Sequence, residues 1–234
     1  MCPADSLRHG QAQTRSRHDR QRQGRTLAEV TGSQRGGPHG HGRREIRIPP
    51  ARMSPASAWV RKWSHLIPPS GRVLDLACGS GRHMQWLQQQ GLSCLGVDRD
   101  PLALQAAAAY GEVLQADIEN QTWPLAGQLF AGIVVTHYLW RSLFPPLLDC
   151  LQPGGVLIYE TFAAGNGTVG KPANPDFLLQ NGELLQVCKN LRVLAYEDGF
   201  CEHPERFVQR IVAVKPDVND SPVPRRYLLE HPGL

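Results

Sequence analysis

From residue 73 onward, short apolar runs alternate with segments of helical spacing. The runs are short enough for buried strands, and the segments between them carry glycines and prolines where turns are needed. Strands that alternate with helices predict βαβ units, which build a parallel sheet with helices on both faces. The runs lie at residues 73–76, 94–97, 113–114, 132–136 and 156–161.

The remaining segments predict how the sheet is covered and closed. Ser54 and Pro55 have the residue types of a helix N-cap and a first helical position, so we expect a helix at 54–66. Two runs near the end predict an antiparallel hairpin that completes the sheet. The predicted fold class is α/β, with a doubly wound, mostly parallel seven-stranded sheet of Rossmann-like form. The other helices are expected at 82–90, 101–110, 143–151 and 183–190, and the hairpin strands at 191–196 and 207–214.

Charge divides the chain near residue 53. Residues 1–52 contain eleven arginines, no lysine and four acidic residues, a net charge of +7, and the rest of the chain carries −3. With few aliphatic residues, the first segment cannot offset the entropy cost of folding, so we expect a disordered Arg-rich extension. Nucleic acid could bind only through this extension, and an extension without a role is the alternative. Residues 53–216 form the predicted domain, and 217–234 a Pro-rich mobile tail.

Cysteine usage and hydropathy bear on location. The six cysteines are scattered, with no CxxC pair and no zinc spacing, which is typical of reduced thiols in a cytoplasmic protein without a metal site. No apolar run approaches the roughly 18 residues of a membrane span, and the first residues lack the apolar stretch of a secretory signal. We therefore expect a cytoplasmic protein with no membrane partner.

In a doubly wound sheet, ligands bind beyond the carboxyl ends of the strands. After the first strand comes DLACGSGRH, whose Gly79 and Gly81 let the backbone turn tightly and approach a ligand. Met84 stands where a dinucleotide-binding loop has its third glycine, which argues against NAD or FAD. Asp98 ends the second strand, where a carboxylate can accept hydrogen bonds from both hydroxyls of a ribose. Its alternative role, capping the next helix, suits Asp100 better.

Asp117 and Ile118 follow the third strand in the sequence QADIE. The aspartate oxygen can accept a hydrogen bond from the exocyclic amine of adenine, and the isoleucine can pack on the ring. An ordinary turn aspartate is the alternative interpretation.

Together, VLDLACGSGRH, GVDRD, QADIE and LQPGGVLIYET resemble the motifs of class I S-adenosylmethionine (SAM)-dependent methyltransferases over residues 54–214. The segment after residue 160 is similar to the small bacterial, tellurite-resistance-like group. Many members have glycine where this chain has Ala77, which implies a slightly stiffer loop. The resemblance implies SAM as cofactor, and it implies the following placement: Asp75, Ala77, Gly79 and Gly81 at the methionine end, Asp98 at the ribose, and Arg99, Asp117 and Ile118 around the adenine.

Candidates for catalysis follow the fourth and fifth strands. His137 can act as a base near neutral pH if the acceptor must lose a proton. Tyr138 and Trp140 can line the acceptor site, and Glu160 can orient an amine. Structural roles are the alternative for each of them.

The mildly acidic domain, without an added recognition domain, favours a small-molecule acceptor. The alternatives are a methyltransferase for RNA or a ribosomal protein, a non-catalytic SAM-binding protein, and an NAD-dependent oxidoreductase. The helix at 54–66 and the glycine-containing loop at 163–175 are further predicted to cover the reacting groups as a lid.

Overall fold

The computed structural model describes residues 53–69, 71–217 and 225–230. The predicted disordered extension, residues 1–52, lies outside the described residues. Seven strands form one sheet in the order β3-β2-β1-β4-β5-β7-β6. The strands are β1 (Arg72–Leu76), β2 (Ser93–Asp98), β3 (Glu112–Gln115), β4 (Phe130–Thr136), β5 (Leu151–Phe162), β6 (Arg192–Glu202) and β7 (Glu205–Val214).

Five neighbouring strands are parallel and one edge of the sheet is an antiparallel hairpin. β1 pairs in parallel with β2 and β4, β2 with β3, and β4 with β5. β7 runs antiparallel to both β5 and β6. Strand order reverses between β1 and β4, so the ligand-binding crevice expected of a doubly wound sheet lies at their carboxyl ends. The predicted fold class is confirmed.

The helices cover both faces of the sheet. On one face, buried side chains of the first three helices pack with Val73 and Val134; on the other, buried side chains of the last two pack with Leu74 and Ile133. Successive residues of β1 thus point to opposite layers, as the two-residue period of a strand requires. The helices are α1 (Ala58–Trp63), α2 (Arg82–Gln89), α3 (Pro101–Ala107), α4 (Phe144–Asp149) and α5 (Glu183–Val187).

Met84 of α2 packs directly over Gly96 of β2. A Cβ on Gly96 would lie 2.4 Å from the sulfur of Met84, so the glycine makes room for the methionine. A dinucleotide-binding fold instead places the glycine on the helix, for close helix–strand contact. In this protein the bulky residue is on the helix and the glycine is on the strand, which is the reverse of that arrangement. This difference agrees with the argument from Met84 against NAD.

Several predicted boundaries are wrong, and the structural basis is clear for three of them. α1 begins at Ala58 rather than Ser54, because the hydroxyl of Ser57 accepts from the N–H of Trp59 and supplies the cap. The helix predicted at 143–151 ends at Asp149, because Leu151 already pairs with β4. The strand predicted at 191–196 continues to Glu202 as β6, and the hairpin turns at His203 and Pro204.

Part of the predicted mobile tail contacts the domain. The carbonyl oxygen of Leu228 lies 3.0 Å from Nε2 of His65, and the guanidinium of Arg192 lies 5.0 Å from the centre of the Tyr227 ring. Mobility of residues 217–234 stays a prediction. In the part of the chain that the structure describes, no helix has the length and apolar character needed to cross a membrane.

Candidate functional site

The loop after β1 is tied to the end of β2. The N–H of Gly79 donates to Oδ2 of Asp98 over 2.7 Å. Gly81 has φ +83°, and a Cβ there would lie 2.9 Å from Cα of Ala107 in α3, so the position requires glycine. The loop therefore turns tightly between β1 and α2, as predicted from its glycines.

Ala77 has a backbone conformation that side chains rarely adopt. Its φ is +54°, in the left-handed region. A residue with a Cβ pays roughly 1 kcal/mol there, a cost that glycine avoids. The departure from the usual glycine at this position therefore carries strain.

Asp75 and His83 form a buried pair below the loop. Oδ1 of Asp75 lies 3.9 Å from Nδ1 of His83, and the aspartate is 1% exposed. Neither Asp75 oxygen has a partner of good hydrogen-bond geometry among the described residues, although the backbone of Met84 is close enough to lower the pKa of Asp75 slightly. Burial raises the pKa of Asp75 to about 7, against the opposing charge of Arg82. Burial lowers the pKa of His83 to about 3, so this imidazole is neutral at physiological pH.

A cavity of about 240 Å³ opens between the ends of β1, β2 and β3. It brings together the four residues predicted at the ribose and the adenine, with Ala77 from the predicted methionine end. Oδ1 of Asp98 accepts from the N–H of Asp100 over 3.0 Å, and Asp100 itself caps α3 by accepting from Leu102 N–H. The capping role therefore belongs to Asp100. The cavity is lined by Ala77, Asp98, Arg99, Ala116, Asp117, Ile118, Glu119 and Tyr138.

Asp117 lines this cavity and also holds its own turn. Oδ1 accepts from the N–H groups of Glu119 and Asn120, and Oδ2 accepts from the side-chain amide of Asn120 over 3.0 Å. These bonds, the Asn120 amide first, lower the pKa of Asp117. The turn role that was the alternative is therefore present, and a contact with adenine stays a prediction.

A second cavity of about 270 Å³ adjoins the first at Ala77 and Tyr138. It lies over the glycine loop, between the ends of β1 and β4. Arg82 and His83 of α2 form part of its wall, as do Thr136 and His137 at the end of β4.

His137 stands at the junction of the second cavity with a third. Its φ is +54°, its backbone N–H donates to the carbonyl of Glu160, and its ring stacks on Phe162 at 5.1 Å. Nη2 of Arg82 lies 3.4 Å from Nδ1, and Nη1 of Arg206 lies 3.2 Å from Nε2. Partial burial, followed by the charge of Arg82, lowers the pKa of His137, so the ring is neutral at pH 7.

Tyr138 lines all three cavities. Its hydroxyl is buried and has no partner of good hydrogen-bond geometry in the described part of the chain. Its carbonyl accepts from the hydroxyl of Tyr159 over 2.8 Å, which holds the backbone in place. Burial, and then the charge of Glu119, raise the pKa of Tyr138. The phenol therefore stays protonated at neutral pH and is suited to donate a hydrogen bond rather than to accept a proton.

The third cavity measures about 510 Å³ and has walls that are partly polar and partly apolar. Phe162 and Thr161 come from the end of β5, and Pro172 and Phe177 from the loop that follows. Sequence reasoning placed this loop near the site but assigned no role to these side chains. The remaining walls are Arg99, Glu119, His137, Tyr138 and Leu139.

Arg141 fastens the loop that carries Phe177. Its guanidinium pairs with both carboxylate oxygens of Glu183, at 2.7 and 2.9 Å. It also donates to the carbonyls of Asp176 and Leu178. No local pattern marked Arg141, because its partners lie more than thirty residues further along the chain.

Glu160 is 1% exposed and forms an ion pair at 2.6 Å with Arg210 of β7. It also accepts from the Ser57 hydroxyl, which connects β5 to the segment before α1. Its predicted role toward an amine stays a prediction.

α1 lines none of the three cavities. Trp59 and Trp63 are buried against the sheet, and the Trp59 indole N–H donates to the carbonyl of Ile211. The helix is therefore a layer of the core, and the lid hypothesis retains support only for the loop after β5.

A cavity beside a glycine loop, at the switch point of a seven-stranded sheet, is the arrangement expected of nucleotide-cofactor proteins of the doubly wound class. Residues 73–155 match the family model of a methyltransferase domain. This match supports the class I SAM-dependent methyltransferase family, whose methyl donor is S-adenosylmethionine.

Two curated relatives are similar over part of the chain. Thiopurine S-methyltransferase of Nitrosospira multiformis is 47% identical over 47 residues, which are 20% of this chain and 21% of the relative. Malonyl-[acyl-carrier protein] O-methyltransferase of Serratia marcescens is 32% identical over 108 residues, which are 42% and 41% of the two chains. The chain thus spans less than half the length of each.

Solved structures share the fold at low identity. TehB from Haemophilus influenzae has a TM-score of 0.51 at 20% identity, over 62% of this chain and 57% of TehB. A SAM-dependent methyltransferase from Methanosarcina mazei has a TM-score of 0.53 at 14% identity, over 65% and 96%. This likeness concerns the fold, and membership of the tellurite-resistance-like group stays a prediction.

Proposed function

We propose that the protein transfers the methyl group of SAM to a small-molecule acceptor. The observation that carries the proposal is the position of Tyr138, which lines all three adjoining cavities. Adenosine in the first cavity and the methionine portion in the second would bring the sulfonium methyl group beside Tyr138 and His137. The third cavity then receives the acceptor.

The residues present fit this cofactor. The buried oxygens of Asp75 lack partners of good hydrogen-bond geometry and are suited to accept from an ammonium group. Asp98 retains lone pairs for the ribose hydroxyls, because each of its oxygens accepts only one hydrogen bond from the described residues. In this proposal the methionine end contacts Asp75, Ala77, Gly79 and Gly81, and the adenine contacts Arg99, Asp117 and Ile118.

When bound, SAM would supply an activated methyl group for in-line transfer to the acceptor atom, with S-adenosylhomocysteine as the leaving group. The chain's own contribution is then alignment and exclusion of water. Phe162 and Phe177 supply apolar walls for the acceptor, and the protonated Tyr138 can donate to it. His137, neutral at pH 7, is the proposed proton acceptor when the acceptor atom carries a proton.

A cytoplasmic location is proposed from the cysteines, of which the five described are free thiols.

Calorimetry with SAM, its demethylated product S-adenosylhomocysteine, and NAD tests the cofactor. We expect binding of the first two and none of NAD, and the reverse result would overturn the proposal. Methyl-labelled SAM incubated with metabolite extracts then tests turnover, with Asp98→Ala as the inactive control. Absence of a labelled product that depends on intact Asp98 would favour a non-catalytic SAM-binding protein.

A further inference from the structure

More hydrogen-bond donors than acceptors converge on His137. Arg82 faces one ring nitrogen at 3.4 Å and Arg206 faces the other at 3.2 Å. A neutral imidazole has one lone pair and one N–H, and guanidinium groups can only donate. At most one of the two contacts is therefore a hydrogen bond, and the other guanidinium N–H meets a second donor.

The nearby carboxylates do not accept these surplus hydrogen bonds. Oε1 of Glu160 lies 3.9 Å from Nε2 of His137, but the carboxylate is already paired with Arg210 and bonded to Ser57. Arg210 is itself shared with Glu197. Glu119, on another wall of the third cavity, acts on the Tyr138 hydroxyl.

Arg82 and Arg206 thus have no carboxylate within ion-pair distance in residues 53–69, 71–217 and 225–230. Nε of Arg206 is buried and has no hydrogen-bond partner among these residues. Two unneutralised guanidinium groups, 124 positions apart in the chain, therefore flank one imidazole in the wall of the third cavity. An anion between them would accept the surplus hydrogen bonds and offset both charges.

We propose that the methyl acceptor carries an anionic group, such as a carboxylate, which binds beside His137, with Arg206 as the residue that selects it. The inference rests on the proposed function and names its substrate class. The apolar part of the third cavity, formed by Leu139, Phe162, Pro172 and Phe177, fits a hydrophobic body attached to the anionic group. A guanidinium that turns to the anion also leaves a ring nitrogen of His137 free to accept a proton.

The carboxylate that binds beside His137, Arg82 and Arg206 could belong to either of two molecules, the acceptor or the methionine portion of the cofactor. The cluster formed by these three residues is therefore tested with both. Arg82 lines the second cavity and is within reach of the cofactor. Arg206 starts from the β6–β7 hairpin, on the far side of the His137 ring. It lines none of the three cavities and lies next to the third through its contact with His137. The two arginines are therefore assigned different main partners, Arg82 the cofactor and Arg206 the acceptor.

The test uses benzoate and its neutral analogue benzamide as probes of the full-length protein saturated with S-adenosylhomocysteine. Dissociation constants by ligand-observed NMR should favour benzoate by about tenfold, the size expected of one charge-assisted hydrogen bond. Arg206→Gln should abolish that preference, and Arg226→Gln, at an exposed position, should retain it. Equal binding of both probes to the unmodified protein, or a preference that survives Arg206→Gln, would overturn the inference.

5′-Methylthioadenosine, which lacks the cofactor's amino and carboxylate groups, distinguishes the two sources. Arg82→Gln should weaken S-adenosylhomocysteine and leave methylthioadenosine unchanged, whereas Arg206→Gln should leave both unchanged. If Arg206→Gln weakens S-adenosylhomocysteine selectively, the cluster belongs to the cofactor and the inference fails. If the unmodified protein binds neither nucleoside, the proposed function itself fails.

Discussion

The backbone N–H of Gly79 donates to Oδ2 of Asp98 over 2.7 Å, so one hydrogen bond joins the glycine loop after β1 to the carboxyl end of β2. The same carboxylate is the proposed acceptor for the ribose. A ligand that bonds Asp98 therefore also contacts the group that holds the loop, and loss of the carboxylate affects both.

Asp98→Ala is expected to weaken SAM and S-adenosylhomocysteine by about a hundredfold, because two charge-assisted hydrogen bonds are lost. Calorimetry measures the effect. The matched control is Asp100→Ala, which removes the α3 cap and lowers the free energy of unfolding by about 1 kcal/mol while leaving affinity unchanged. A folded Asp98→Ala protein with unchanged affinity would remove Asp98 from the site.

Ala77→Gly should raise the free energy of unfolding by up to about 1 kcal/mol, because it relieves the left-handed strain at φ +54°. Ala108→Gly is the control. It makes the same chemical change at the exposed, right-handed C-cap of α3, where glycine is expected to destabilise by up to about 1 kcal/mol. Urea denaturation compares them, and destabilisation by both changes would show that strain at Ala77 is negligible.

Asp75→Asn should stabilise the protein at high pH and not at pH 3. The pKa of Asp75 is raised from 3.8 to about 7, so the folded protein holds a proton that the unfolded chain has lost between these values. Stability due to this group therefore falls as pH rises through that window, by up to about 4 kcal/mol at roughly 1.4 kcal/mol per pKa unit.

Thermal melts of both proteins from pH 3 to 8 measure this difference. Asp149→Asn removes one exposed carboxylate and should change stability by less than about 0.5 kcal/mol throughout. A constant difference between Asp75→Asn and the unmodified protein across the range would contradict the raised pKa.

Glu160→Gln should lower the free energy of unfolding by about 3 kcal/mol, because it leaves the partly buried Arg210 facing a neutral amide. Glu197→Gln removes the other, exposed partner of Arg210 and should cost less than about 1 kcal/mol. Urea denaturation at pH 7 measures the change in unfolding free energy for both variants. Equal losses of unfolding free energy in the two variants would mean that burial of Glu160 does not strengthen its ion pair with Arg210.

Arg141→Gln should speed amide hydrogen exchange in residues 163–178, because the paired bonds to Glu183 and two loop carbonyls are lost together. Arg226→Gln is the surface control. With SAM and an acceptor bound, exchange in this loop should slow, whereas α1 should not respond because its tryptophans are already buried. If amide hydrogen exchange in residues 163–178 is unaffected by Arg141→Gln, Arg141 does not restrain this loop.

The sequence by itself determined the sheet, the glycine loop and the position of Asp98. Each depends on short-range information: the two-residue period of strands, the conformations open to glycine, and the fact that parallel strands end at one edge. Asp98 and Asp117 follow successive strands, so their approach to one cavity was predictable. The structure added that Asp117 also holds its own turn.

Only the tertiary structure decided which side chains surround His137 and where α1 begins. Arg206 reaches His137 across 69 residues, and Ser57 meets Glu160 across 103. Such contacts follow from strand order and hairpin register, which place β7 beside β5. No local pattern encodes them, because a one-residue shift in register would turn Arg206 to the opposite face of the sheet.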